Sequence, residues 1–215
     1  MMYKIAHIDE NAAAINNFYQ NFKGDFEILK IKVDANSTID LIIQASFENK
    51  VDAIVVDYML DEEGDVNFNG NLIFDKIRKI RPHFPIVMLT SHEPQAIDHM
   101  EDVHIIYSKD ILDGESEDEL EIFKTKLKSN IERYYSKFQN TEKRIEELVK
   151  KKNESGLEPS EEEALTKLFI LMDELDPEGK ELPANLIQAG TITKLNDFVS
   201  QTKEILEELK KANKK

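Results

Sequence analysis

Three carboxylates, a hydroxyl and an ammonium stand where apolar runs of this sequence stop. The run Lys4–Ile8 ends at Asp9-Glu10, the β-branched run Val51–Asp57 ends on Asp57 itself, and Pro85–Thr90 ends on Thr90, next to Ser91. Lys109 follows just past Val103–Tyr107. If these runs are neighbouring parallel strands, all five groups converge on one end of a sheet. Crowded carboxylates repel unless a cation sits among them, and hard oxygen ligands favour Mg²⁺. Such a metal neutralises charge on a phosphoryl group in transfer. A carboxylate can itself be the nucleophile, giving an acyl phosphate. A lysine supplies a mobile positive charge for phosphate oxygens, and a threonine hydroxyl donates to them.

The elements that would position these residues alternate between strand and helix over the first 110 or so residues. Asn11–Phe22 has apolar residues at helical spacing, Phe26–Val33 alternates as a strand, and Thr38–Phe47 reads as a helix. The unbroken Val51–Asp57 run suits a strand covered on both faces. Leu72–Ile80 is helical and stops before Pro82, Pro94–Met100 is a short helix, and Val103–Tyr107 is a fifth strand. Five strands separated by helices predict a doubly wound parallel sheet, whose functional crevice lies beyond the carboxyl ends of the strands.

From about Glu117 the pattern is helical only. Leu127, Ile131, Tyr134, Phe138, Thr141, Ile145 and Leu148 recur at alternating spacings of four and three, a heptad seam with one polar break. A continuous helix over 118–152 would be roughly 50 Å long, too long to serve only as the last helix of a compact sheet domain. Gly156 lies in the break. Pro159-Ser160 opens a second helix, with Ser160 as N-cap and Glu163 completing a capping box. Its apolar face is Leu165, Leu168, Phe169, Met172 and Leu175. Asp176–Gly190 reads as loop, and Thr191–Lys211 as a last amphipathic helix.

Composition excludes several classes. Residues 1–138 carry 15 Lys/Arg against 26 Asp/Glu, and residues 139–215 carry 13 against 17. Neither half is basic, which disfavours nucleic acid and anionic lipid as partners. The chain has no cysteine, which removes disulfides and thiolate chemistry. No apolar run approaches the roughly 18 residues that span a bilayer, and the N-terminus lacks the pattern of a secretory leader, so a cytoplasmic protein is expected.

The sequence resembles the receiver domain of two-component response regulators, of the CheY-like kind, over about residues 3–125. The resemblance is carried by His7-Ile8-Asp9-Glu10, by Val55-Val56-Asp57-Tyr58-Met59-Leu60, by Val87-Met88-Leu89-Thr90-Ser91 and by Tyr107-Ser108-Lys109. It implies a flavodoxin-like fold, with Asp57 as phosphoacceptor. Asp9 and Glu10, with Asp57 and the Met59 main-chain carbonyl, would surround Mg²⁺, and Thr90 and Lys109 would meet the phosphoryl oxygens. A histidine kinase or phosphotransfer protein is the implied donor. The loop Asp61–Asn69, before the glycine that matches Gly70, is longer than the family's and carries Asp61, Glu62, Glu63 and Asp65; a solvated loop is the expectation. Asp110 stands where the family has a proline, so the usual cis peptide is not expected. Ile106 stands where the family has its aromatic switch residue, with Tyr107 displaced by one position. One step along a strand changes the face, so the usual coupling to Thr90 is expected to be altered.

His7, His83, His92, His99 and His104 are scattered without ligand spacing, and structural or surface roles are expected for them, although His92 falls near the site. No histidine lies beyond residue 104, so the helical extension is not a phosphotransfer bundle. The expected organisation is a receiver domain over 1–125, a long connecting helix over 118–152 and a helical module over 159–215. That module would bind a protein partner or a second copy, not DNA or a membrane. Two alternatives are a pseudo-receiver adaptor that works without phosphorylation and a phosphate-sink receiver. No separate enzyme activity is expected.

Overall fold

The computed structural model describes residues 2–62, 64–113 and 117–176. The expected helix Thr191–Lys211 and residue Glu63 lie outside these described residues.

Five parallel strands form one sheet: β1 (Lys4–Asp9), β2 (Glu27–Lys32), β3 (Ala53–Val56), β4 (Ile86–Thr90) and β5 (Ile106–Ser108), in the order β2-β1-β3-β4-β5. The crossovers are α1 (Ala12–Phe22), α2 (Ile39–Glu48), α3 (Gly70–Ile80) and α4 (Glu93–His99). Local chemistry starts the first two helices. Asn11 accepts from the Ala13 and Ala14 N–H groups, and Thr38 accepts from Leu41 N–H.

Strand alternation divides the buried residues between two faces. Ala6, Ile8, Ile54, Val56, Ile86 and Met88 pack with Ile42 and Ile43 of α2, Ile73 and Ile77 of α3 and Ala96 of α4. Ile5, Ala53, Val55, Val87 and Leu89 pack with Phe18 and Phe22 of α1. The second face is completed by Phe123, Leu127 and Ile131 of α5 (Glu117–Ser155). At 39 residues α5 is about 58 Å long.

The seam along α5 serves two cores. Its first part, through Ile131, packs on the sheet. Tyr134 packs against Phe84 and donates to the Leu175 carbonyl. Ile145 and Leu148 pack on Leu165 of α6 (Pro159–Leu175), forming a separate cluster. Leu168, Phe169 and Met172 are half-buried there, while Ile170 is 58% exposed. The end of α6 reaches the loop before β4 through Arg81–Asp176 at 3.4 Å and His83–Glu174 at 3.2 Å.

Two expectations need correction. Val103–Ile105 is a turn of 3₁₀ helix, because Asp102 accepts from the His104 N–H, and β5 begins only at Ile106. The cap of α6 is Glu158, not Ser160: Pro159 takes the first helical position, which suits its fixed φ, and Glu161 reaches back to the Glu158 N–H at 3.0 Å. No cis peptide bond occurs among the described residues.

Candidate functional site

Each acidic residue sits where a buried strand stops. Asp9 is the last residue of β1 and is fully buried, with Glu10 beside it at 3% exposure. Asp57 follows β3 at 2% exposure, and its N–H extends the ladder by donating to the Ile8 carbonyl at 2.9 Å. The three offer one carboxylate oxygen each within 4.8 Å of one another. Thr90 closes β4, fully buried, with its hydroxyl oxygen accepting from the His92 N–H at 3.1 Å. Lys109 follows β5, and its Nζ lies 2.8 Å from Asp57 Oδ2 and 2.8 Å from Asp9 Oδ2. The sequence-predicted side chains Asp9, Glu10, Asp57 and Lys109 are therefore brought together. Met59 lies two residues past Asp57, its side chain against the α2/α3 core.

Two residues fix the loop that carries Asp57. Gly70 begins α3 so close to it that a Cβ there would fall 1.9 Å from the Asp57 carbonyl oxygen, and the Gly70 N–H donates to the Tyr58 carbonyl at 2.8 Å. Asn69 accepts from the Leu60 and Asp61 N–H groups at 3.0 and 3.3 Å, closing the neck of the long loop. Asp61, Glu62 and Asp65 are exposed and stand outside the carboxylate group, in keeping with a solvated loop. Glu62 lies 3.9 Å from His92 across the mouth.

The electrostatics follow from three buried carboxylates facing one ammonium. Burial raises the Asp9 pKa, with Lys109 opposing and Asp57 adding to the rise. Burial pushes Glu10 up to about 7. Burial works against the charge on Lys109, but the Asp57 and Asp9 carboxylates outweigh it and raise its pKa. Glu10 Oε2 and Asp57 Oδ1 are buried without a hydrogen-bond partner among the described residues. An all-oxygen set, short of positive charge and with orphaned acceptors, fits a hard divalent cation such as Mg²⁺.

One neighbour was not singled out in the sequence. His7 is fully buried, stacked on Phe18 with centroids 4.1 Å apart, and its Nε2 lies 3.8 Å from Asp9 Oδ2. Burial, then Lys109, lowers its pKa to about 3. Its signal was a polar residue inside an otherwise apolar strand, two positions before an acid and hence on the same face. The displaced aromatic behaves as its register requires. Tyr107 packs edge-on against Phe123 on the α1/α5 side, while Ile106 faces the opposite core.

No family model and no curated protein matches the chain. Solved structures similar to it include a response regulator receiver domain protein from Clostridium thermocellum, with 19% identity over 61% of this chain and 96% of that one and a TM-score of 0.45. A CheY-like receiver domain protein from Methanospirillum hungatei has 18% identity over 62% and 99%, with a TM-score of 0.44. An adenylate cyclase structure from Rhodopirellula baltica has 18% identity over 70% and 99%, with a TM-score of 0.48. Independently of these, the five parallel strands, their order β2-β1-β3-β4-β5 and the helices on both faces give the chain a flavodoxin-like receiver fold, followed by a helical C-terminal segment.

Proposed function

We propose that this chain is a response regulator that accepts a phosphoryl group on Asp57 from a histidine kinase or phosphotransfer protein, with Mg²⁺ bound. The observation that carries the reading is the meeting of Asp9, Glu10 and Asp57 within 4.8 Å, with Lys109 2.8 Å from two of them. Bound Mg²⁺ would be held by those three carboxylates and, by resemblance, the Met59 carbonyl, and it supplies charge neutralisation for the transfer. A carboxylate oxygen of Asp57 attacks phosphorus, and the bond from phosphorus to the donor imidazole nitrogen breaks. The nitrogen keeps the electron pair, takes a proton, and leaves an acyl phosphate on Asp57. Lys109 then exchanges its carboxylate contacts for a phosphoryl oxygen, and the Thr90 hydroxyl donates to another.

The output would be carried by α5, which packs on the sheet with one end and holds α6 with the other. Its partner is a protein surface or a second copy of the chain. The formal charge of −15 argues against nucleic acid. Among the described residues no helix is long and apolar enough to cross a membrane, and a cytoplasmic setting suits the proposed donor. No enzymatic activity beyond the handling of its own phosphoryl group is proposed.

A second reading, a pseudo-receiver adaptor that works without phosphorylation, is favoured by one observation: Tyr107 packs on Phe123, not on the face of Ile106. Intact-mass analysis after acetyl phosphate treatment separates the two. A single hydroxylamine-labile adduct that requires Mg²⁺ and is absent from Asp57→Asn is expected. Unmodified wild-type protein under these conditions, with no response to beryllofluoride, would sink the response-regulator reading.

A further inference from the structure

A fully buried imidazole usually has a hydrogen-bond partner, because burying a polar group without one is costly. His7 departs from this: neither of its ring nitrogens has such a partner among the described residues. A leucine or isoleucine would suit the site by packing alone, since Ile5, two residues earlier on the same face, does so beside Phe18 and Phe22. The imidazole is therefore unexplained by the core it sits in.

Its surroundings supply a use. The ring lies nearly parallel to that of Phe18, with 6° between the planes, which fixes its orientation. Its Nε2 lies 3.8 Å from Asp9 Oδ2, about 0.6–1 Å beyond a hydrogen bond. The other Asp9 oxygen already accepts from the Asn11 N–H at 2.8 Å. Oδ2 is the oxygen paired with Lys109. Once that lysine turns to a phosphoryl oxygen, Oδ2 loses its ammonium partner, and His7 is the remaining side-chain donor beside it. Among the described residues the group that could hold a cation is Asp9, Glu10 and Asp57, and His7 stands beside it, facing Asp9.

We propose that His7 is a positioning residue that donates from Nε2 to Oδ2 of Asp9 when Lys109 moves to the phosphoryl group, holding Asp9 in place in the phosphorylated state. The proposal rests on the phosphoacceptor reading above.

The test compares wild type, His7→Leu and His7→Gln as full-length chains. Three quantities are read: melting temperature in EDTA, beryllofluoride affinity in Mg²⁺, and the imidazole nitrogen shifts of the wild type with and without beryllofluoride. His7→Leu is expected to melt no lower than wild type in EDTA, because it removes an unpartnered polar group. It should nevertheless bind beryllofluoride about tenfold more weakly, the scale of one hydrogen bond to a charged group, with His7→Gln recovering most of the loss. In the wild type, the Nε2–H resonances should shift on activation as the bond to Asp9 forms. Equal affinity in wild type and His7→Leu overturns the proposal, and so do nitrogen shifts that do not respond. In both cases a wild type that still binds beryllofluoride leaves the phosphoacceptor reading standing. A wild type that takes neither beryllofluoride nor a phosphoryl group removes both.

Discussion

Nζ of Lys109 lies 2.8 Å from Oδ2 of Asp57. It makes the same approach to Asp9, so one ammonium bridges two buried carboxylates. Replacing it with an uncharged side chain of similar length leaves both carboxylates without their cation. Lys109→Met is expected to lower stability by about 1–3 kcal/mol in EDTA at neutral pH. Because Mg²⁺ supplies the missing charge, the variant should gain more melting temperature from added Mg²⁺ than the wild type does. An equal gain in both would mean that the lysine and the cation do not share these oxygens.

Gly70 tolerates no side chain. A Cβ would overlap the Asp57 carbonyl oxygen at 1.9 Å, and because that oxygen belongs to backbone, α3 or the loop that carries Asp57 must move. Gly70→Ala is expected to cost about 1–3 kcal/mol or more and to slow labelling of Asp57 at least tenfold. Gly24→Ala is the control, since a Cβ there meets nothing within 4 Å. Denaturant unfolding and acetyl phosphate labelling of both variants check the contrast.

Cation binding should be linked to protons. Burial places Glu10 at about 7, so the folded protein holds a proton there that the unfolded chain loses from 4.5 upward. Folded stability from this group is present at low pH and is lost as pH rises through about 7. His7 acts oppositely: held at about 3 by burial, it favours unfolding as pH falls below 6.5. The His7 contribution fades above pH 6.5, while Glu10 still loses its proton through about 7. Raising the pH from 6.5 to about 8 in EDTA should lower the melting temperature, while Mg²⁺ binds more tightly with proton release. Calorimetry in buffers of different ionisation enthalpy measures the released protons, and none detected near pH 7 would remove Glu10 from the cation site.

The α5–α6 hairpin has its own small core. Leu148 is 2% exposed and packs in the cluster of Ile145 and Leu165, apart from the two faces of the sheet. Leu148→Ala should cost about 2–4 kcal/mol of hairpin stability. Hydrogen exchange is then expected to quicken over residues 141–176 while protection of β1, β3 and β4 persists. Quickening that spreads equally into those strands would show that hairpin and sheet unfold together.

Much of the site was legible because the chemistry lies at the ends of apolar runs, and in a parallel sheet those ends must converge. The strands are legible from runs and alternation of apolar residues: the unbroken Val51–Asp57 run suits a strand covered on both faces, and β3 is buried throughout. Asp9, Glu10 and Asp57 follow from strand ends with no knowledge of side-chain conformation. β5 starts later than its apolar run suggests because Asp102 caps a turn, a local hydrogen bond that competes with strand pairing and leaves no mark on hydrophobic periodicity. The cap of α6 lies two residues before Ser160 because the proline at the first helical position, and not the serine, decides where the helix begins.

What the sequence determined by itself is the kind of fold and the identity of the carboxylates, since both depend on periodicity and order along the chain. Tertiary structure alone decided the rest. A heptad seam does not reveal that its first part closes a sheet and its last part holds another helix, because packing partners lie far apart in sequence. A histidine two residues before an acid does not announce that it is buried with no hydrogen-bond partner on either nitrogen among the described residues. That depends on Phe18 of the next helix lying against its ring and on Lys109, 100 or so residues away, taking the same aspartate oxygen.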